Sequence, residues 1–247
     1  MWSWLPENVS TYGGDIDSIL YLIYYITGAW FFLTIGAIVL FLLLYRHREG
    51  RRATYVHGNT LAQSAWILVP TLIVLGLDLW IEFRSGPIWE TIKVHMPPAD
   101  VRVQVTGKQF NWEILYPGPD GRFGTADDLQ VDNELHVPVG QVVRVTLKSK
   151  DVIHSFFLPN LRLKQDALPG REIEAWFEAT KPGVYEIPCA ELCGFGHSGM
   201  LGHLTVHSAE DYEKWVKRTW PSSYGASAKP SAISGQQEKE DMLKADS

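Results

Sequence analysis

The sequence predicts a two-helix transmembrane hairpin followed by an all-β domain of Greek-key type, and three observations carry that prediction. From Ser18 to Tyr45, 28 consecutive residues carry no charge, and from Leu61 to Ile81 a further 21 carry only Asp78. At about 1.5 Å per residue, either run is long enough to cross a hydrocarbon core about 30 Å thick. Beyond Pro97 and Pro98 the apolar period changes to two: Val101, Val103 and Val105 alternate with Arg102, Gln104 and Thr106, as in a strand with one buried face. The mean hydropathy of −0.06 hides this division, because it averages an apolar front with a polar remainder.

Each element can be justified in order. Residues 1–17, an outer N-terminal segment, hold no Lys or Arg and so lack the basic start of a secretory signal; the apolar run behind them reads as a retained helix. The first span covers 18–45. The loop 46–60 carries Arg46, Arg48, Arg51 and Arg52 against Glu49, which by the positive-inside rule makes it cytoplasmic and puts both termini on the outer face. The second span covers 61–82, with Gln63 near its cytoplasmic end and Asp78 near its outer end, where a carboxylate reaches interfacial water.

The water-facing domain covers 96–207. Strand-like segments at 101–106, 109–116, 141–149, 152–158, 172–178, 183–188 and 202–207 are separated by Gly/Pro turns, the pattern of an antiparallel sandwich or barrel. The turn-rich stretch from Tyr116 to Gly124 reads as a hairpin excursion. Asp120, Asp127 and Asp128 in and after it form an incomplete cation ladder, which favours a solvated loop. Ser208 with Asp211 three residues on starts a short helix over 208–220. The Ser/Gly/Ala/Pro-rich remainder, 221–247, reads as a disordered tail.

Charge narrows the class of partner. Residues 1–95 hold six basic and seven acidic residues, and residues 96–247 hold 16 and 21, so most of the net −6 lies on the outer domain. Such a domain does not favour nucleic acid and suits a basic protein partner through electrostatic steering; that the charge only keeps the domain soluble is the alternative, and charge alone does not separate the two.

The segment Cys189-Ala-Glu191-Leu-Cys193-Gly-Phe-Gly-His197-Ser-Gly-Met200 carries the chemistry. Two thiols, an imidazole and a thioether within twelve residues are soft and borderline donors, which select copper or zinc over calcium or magnesium. His154, near the end of an earlier strand, offers a second imidazole. One ligand on an early strand with a Cys…His…Met cluster on a late loop is how single-copper cupredoxins hold their metal, and the extra cysteine here supplies enough sulfur for two coppers. A structural zinc site on Cys189, Cys193, His197 and His154 is the alternative, and it leaves Met200 without a role. A Cys189–Cys193 disulfide is a third reading, and it leaves the imidazoles unexplained.

On these residues the chain resembles subunit II of the haem-copper cytochrome c oxidases. The family loop Cys-x-Glu-x-Cys-x-x-x-His-x-x-Met is matched at every ligand, His154 lies in Asp151-Val-Ile-His154-Ser-Phe 35 residues before Cys189, and Lys164-Gln-Asp166-Ala-Leu-Pro169-Gly170-Arg171 is similar to the family segment between them. The resemblance spans roughly residues 18–218 and implies a cupredoxin-like domain holding the dinuclear copper centre CuA. Its ligands would be His154, Cys189, Cys193, His197, Met200 and the backbone carbonyl of Glu191. The Glu191 carboxylate, with Asp166 nearby, would help hold a magnesium shared with subunit I; for Asp166 an ion pair with Lys164 or Arg171 is the plainer role. The resemblance further implies haem and CuB in subunit I, a third subunit beside it, and a c-type cytochrome as donor, in a bacterial-type plasma membrane.

Two positions depart from the family pattern. After Gly107-x-Gln109 the usual Trp-Tyr-Trp is Phe110-Asn111-Trp112, so the candidates for electron entry are Phe110, which lacks an indole N–H, and Trp112. Where many members carry a Glu that opens a proton channel, this chain has Gln63, which carries no charge. Both cysteines belong to the copper loop, so no Cys-x-x-Cys-His is left for a fused c-type haem. A nitric oxide reductase carrying the same copper subunit is the alternative function, and a membrane-anchored zinc-binding module is the alternative without redox chemistry.

Overall fold

A computed structural model describes residues 5–52, 55–118 and 120–220. The call of a disordered tail over 221–247 lies outside the described residues. The chain divides into two compact units, one of residues 15–91 and one that joins the segment up to Gly14 to the chain from Ile92 onward.

The first unit holds two long helices, α1 (Gly13–Leu44) and α2 (Leu61–Trp89), the latter running on into a π turn over Glu90–Val94. Both are apolar enough to cross a membrane. α1 begins before the apolar run because Asp15 in its first turn favours the positive end of the helix dipole. α2 outlasts its apolar run, and Pro87 does not end it. Gln63 has a local role at its start: Thr60 caps the helix by accepting the Gln63 backbone N–H at 3.4 Å. Large apolar side chains such as Phe32, Leu42, Trp66 and Phe83 stand exposed along both helices, which suits lipid or neighbouring helices and not water.

In the second unit ten strands make three sheets. A five-stranded sheet runs in the order β3 (Leu129–Asp132), β2 (Asn111–Tyr116), β1 (Val101–Lys108), β5 (Val142–Ser149), β8 (Ile173–Glu178). A three-stranded sheet runs β4 (Glu134–Pro138), β10 (Leu201–His207), β9 (Gly183–Pro188), and β6 (His154–Leu158) pairs with β7 (Leu163–Ala167). Most pairings are antiparallel, as expected, but β1 pairs parallel with β5, and β4 parallel with β10. Both pairs join strands that are not neighbours in sequence, so the chain crosses between them and returns in the same direction. Strands β3, β4 and β7 lie outside the expected segments; they are only four or five residues long, too short for a clear alternation.

The period of two is obeyed where it was read. Val103 and Val105 of β1, Ile114 of β2, Val145 and Leu147 of β5 and Leu204 of β10 are all fully buried. Each such side chain contributes about 1.5–3 kcal/mol relative to exposure. Helix α3 (Ala209–Thr219) closes one end, capped by Ser208, whose Oγ accepts the Asp211 N–H at 3.2 Å and donates to its carboxylate at 2.8 Å. Asp128 is likewise occupied by its own turn, accepting from the backbone N–H groups of Gly118, Gly124 and Thr125, while Asp120 accepts from that of Arg122.

The segment before α1 is fastened to this domain. Val9 N–H donates to Asn160 O at 2.9 Å, Thr180 N–H to Val9 O at 2.8 Å, and the Tyr12 hydroxyl to Trp176 O at 3.0 Å. The segment after α2 is fastened too, by Trp176 Nε1 to Ile92 O at 3.1 Å and Lys93 Nζ to Gln165 Oε1 at 2.6 Å. The chain therefore enters α1 and leaves α2 from the same β unit.

Under α3, the rings of His136 and His207 stack and share a hydrogen bond, Nδ1 to Nε2, at 2.9 Å, with Trp215 stacked on His136 at 4.6 Å. Burial and the neighbouring His207 push the His136 imidazole from its ordinary 6.5 down to about 4. A depressed histidine binds fewer protons folded than unfolded, so its stabilisation is complete above about 6.5 and is lost as pH falls towards 4. The thermal midpoint of the chain is expected to drop over that window, and His136→Phe should make the drop shallower. An identical pH dependence in the variant would contradict the role given to this pair.

Candidate metal centre

Two chain segments bring six donors together in the β domain. β6 starts at His154, and its Phe156 forms an antiparallel bridge with Cys189 just past the end of β9. Ala190 N–H donates to Ser155 O at 2.9 Å and Cys189 N–H to Met200 O at 3.0 Å, so the first and last donors of the late loop are tied to strand backbone. Between them the loop tightens into a 3-10 turn over His197–Gly199, closed by the Gly199 N–H to Gly196 O bond at 3.0 Å and the Met200 N–H to His197 O bond at 3.1 Å.

The donors line up in sequence through space. His154 Nδ1 lies 3.9 Å from Cys189 Sγ, Cys189 Sγ lies 3.9 Å from Cys193 Sγ, and Cys193 Sγ lies 3.6 Å from His197 Nδ1. Met200 Sδ is 3.8 Å from Cys193 Sγ, and Glu191 O is 3.3 Å from Cys189 Sγ. Both cysteines are free, and their separation is nearly twice the ~2.05 Å of a disulfide. Each imidazole therefore faces a different thiol, with a weaker donor beside each thiol. His154, Cys189 and Cys193 lie mutually within 4.8 Å, a set that does not include His197. A single tetrahedral metal needs all four donors equally close, whereas two metals bridged by the thiols need this staggered order.

The site is dry and pre-set. His154 is fully buried, and Cys189, Cys193 and Met200 are buried. Burial first, and then the charge of Cys189, push the Cys193 thiol up to about 11, so the metal itself must drive off its proton. The donor set fits a pair of soft ions.

Three supporting residues escaped the reading of the motif. Asp151 Oδ1 takes the Nε2 proton of His154 at 2.8 Å, which leaves Nδ1 free to face the thiols. Burial opposes ionisation of Asp151, but the Gln109 backbone N–H (2.8 Å) and His154 outweigh it and hold the carboxyl below its usual range. Gln109 also donates its side-chain Nε2–H to Cys193 O, so one residue braces both halves of the site. At Gly107 a Cβ would stand 2.7 Å from His154 Cδ2, so only glycine leaves room for the ring. The signals were present as Asp three residues before His154 and as Gly107-x-Gln109, but nothing in the sequence ties them to the late loop.

The remaining candidates separate by exposure. Phe110 is partly exposed and lies on the late loop, since a Cβ at Gly196 would stand 2.5 Å from its Cδ2. Trp112 is wholly buried, 5.9 Å from the His154 ring and 5.5 Å from Phe156, out of reach of a docked protein. Asp166 pairs with Lys164 at 3.3 Å and accepts from the buried Ser155 Oγ at 2.7 Å; that hydroxyl is the main cause of its lowered carboxyl pKa. The Glu191 residue is exposed. Asp151→Asn and Gly107→Ala should each weaken metal retention by about 10–100-fold, read by chelator competition on the purified chain. Wild-type retention in both would show that Asp151 and Gly107 do not set the His154 ring.

Residues 109–206 match the family model described as cytochrome c oxidase subunit II, periplasmic domain. The alternative cytochrome c oxidase subunit 2 of Bradyrhizobium diazoefficiens is 30% identical over 244 residues, covering 88% of this chain and 84% of the relative. The cytochrome c oxidase subunit 2 of Thermostichus vulcanus is 32% identical over 264 residues, covering 87% and 78%. The crystal structure of the periplasmic domain of subunit II of cytochrome oxidase of Bradyrhizobium japonicum is 34% identical, covers 51% of this chain and 96% of that one, and has a TM-score of 0.46. The chain is thus a membrane protein whose β domain corresponds to a periplasmic one, and it belongs to the cytochrome c oxidase subunit II family, part of an oxidoreductase complex of the haem-copper type.

Proposed function

We propose that the chain is the electron-entry subunit of a membrane terminal oxidase and holds a dinuclear copper centre, CuA. The staggered order His154–Cys189–Cys193–His197 carries this reading, because it would offer each of two metals one imidazole and both thiolates. Met200 and the Glu191 carbonyl would be the weaker donors. When bound, the copper pair supplies one-electron transfer, from a c-type cytochrome on the outer face to haem in subunit I, where haem and CuB reduce oxygen.

The chain's own residues keep that transfer fast by not moving. Strand backbone holds Cys189 and Met200, Asp151 fixes the His154 tautomer, and Gln109 clamps the Cys193 carbonyl. A closed ligand set leaves no position for substrate, so this subunit carries electrons and breaks no bonds. Phe110 is the exposed aromatic next to the loop and the point of entry.

The same reading assigns the surroundings. α1 and α2 cross a bacterial-type plasma membrane and pack on subunit I, with subunit III in the same complex; the arginine-bearing loop is cytoplasmic, a reading supported by its excess of basic residues. Glu191, exposed beside the thiols, turns its carboxylate towards subunit I and a shared magnesium, with Asp166 nearby. Gln63 offers no titratable group, so protons enter subunit I by another route.

The purified complex, oxidised, should show an EPR signal from one unpaired electron shared by two coppers, and it should consume oxygen with a reduced c-type cytochrome. Cys193→Ser should abolish the signal, and Met200→Leu should slow electron transfer while the domain stays folded. A colourless chain with zinc would contradict the copper assignment. Nitric oxide reduction without oxygen uptake would move the subunit to a nitric oxide reductase.

A further inference from the structure

We propose that Phe195 is the apolar tip on which the electron-donating protein docks, and that this contact, not long-range charge attraction, sets the affinity for the donor. The proposal rests on the electron-entry reading above and names the part of the surface that selects the partner.

Phe195 is completely exposed, with a relative accessibility of 105%, in the middle of the loop that carries Cys193 and His197. An aromatic side chain left in water on a flexible tip would be unremarkable, but this loop is held. Gly194 has φ 134°, a value that L side chains rarely adopt, and a Cβ there would stand 2.6 Å from Gln109 Nε2. Gly196 sits so close to the Phe110 ring that it too has no room for a side chain. The Cys193 carbonyl is clamped by Gln109, and His197 N–H closes the turn onto Gly194 O. Phe195 is thus presented on rigid backbone beside the partly exposed Phe110. A partner that covers both rings gains apolar burial while little ordering remains to be done. Large aromatics at the centre of a contact, next to few free charges, are where binding energy concentrates.

The charges around this tip point the same way. Lys108 and Lys150, each about half exposed, flank the turn that carries Phe110, and both pair with the recessed Glu113. Asp151 is engaged by the Gln109 N–H and by His154. Those four residues balance, while Asp132, exposed opposite Glu113 in the register of β2 and β3, and Glu191, exposed four residues before Phe195, each add a negative charge. Further along the same sheet, Lys148 pairs with Glu172 at 2.6 Å and Arg144 with Glu174 at 3.5 Å. Most carboxylates on this face are thus paired with its own bases, and such a face steers a basic protein weakly. The fitting occupant is a c-type cytochrome with an apolar, nearly uncharged collar around its exposed haem edge.

The test uses the intact oxidase complex, with wild-type, Phe195→Ser and Phe195→Leu chains. Reduced c-type cytochrome is the protein donor, and hexaammineruthenium(II), too small to need a docking surface, is the control. Phe195→Ser should raise the KM for the cytochrome about tenfold, equivalent to one interface anchor, and Phe195→Leu should restore most of it. Reduction of the metal centre by the ruthenium complex should be unchanged in both. For the wild type, kcat/KM should fall by less than about threefold between 20 and 200 mM salt, where a charge-steered pair falls far more steeply. An unchanged KM in Phe195→Ser, loss of subunits from the complex in that variant, or a salt dependence beyond about tenfold would each overturn the proposal. A wild-type centre that neither donor reduces would instead overturn the electron-entry reading on which it rests.

Discussion

A buried imidazole governs this domain. His154 has no accessible surface, and its two nitrogens are assigned by their neighbours: Nε2 to Asp151 and Nδ1 to the space beside Cys189. To hold a ring there, β1 must carry glycine at 107, Asp151 must stay ionised, and β6 must bridge to the strand end at Cys189. Those requirements fix the relative placement of the early strand and the late loop. A polar group buried this deeply is tolerated only when its hydrogen bonds are made, so the metal site and the fold cannot be separated.

The chemistry of the site was largely legible in the sequence, because it depends on a local spacing. Cys189, Cys193, His197 and Met200 are near neighbours in sequence, and their side-chain types alone exclude hard cations. Long apolar runs and the alternation in β1 were legible for the same reason, since period and length are local quantities. What the sequence concealed is non-local. That Gln109 braces Cys193 across 84 positions, and that β1 lies parallel to β5, depend on chain crossings with no spacing signature. The short strands β3, β4 and β7 were hidden because pairing with neighbours, not their own pattern, makes them strands. The buried Trp112 shows the converse: a motif identified its aromatic character, and only the packing showed that it serves the core.

The two units solve different solvent problems. α1 and α2 keep their backbone groups satisfied internally and leave apolar side chains outward, as a bilayer demands. The β unit buries its apolar residues inward and gathers its polar donors at one end. The segments that flank the helices in sequence are bonded within the β unit: Tyr12 before α1, Ile92 and Lys93 after α2.

The central claim is that six donors in staggered order serve two coppers and not one metal. Native mass spectrometry of the complex, with metal content measured in parallel, tests it most directly. The account predicts two coppers bound to this chain, both lost together in Cys189→Ser. One metal per chain, or a single zinc that survives loss of Met200, would contradict it.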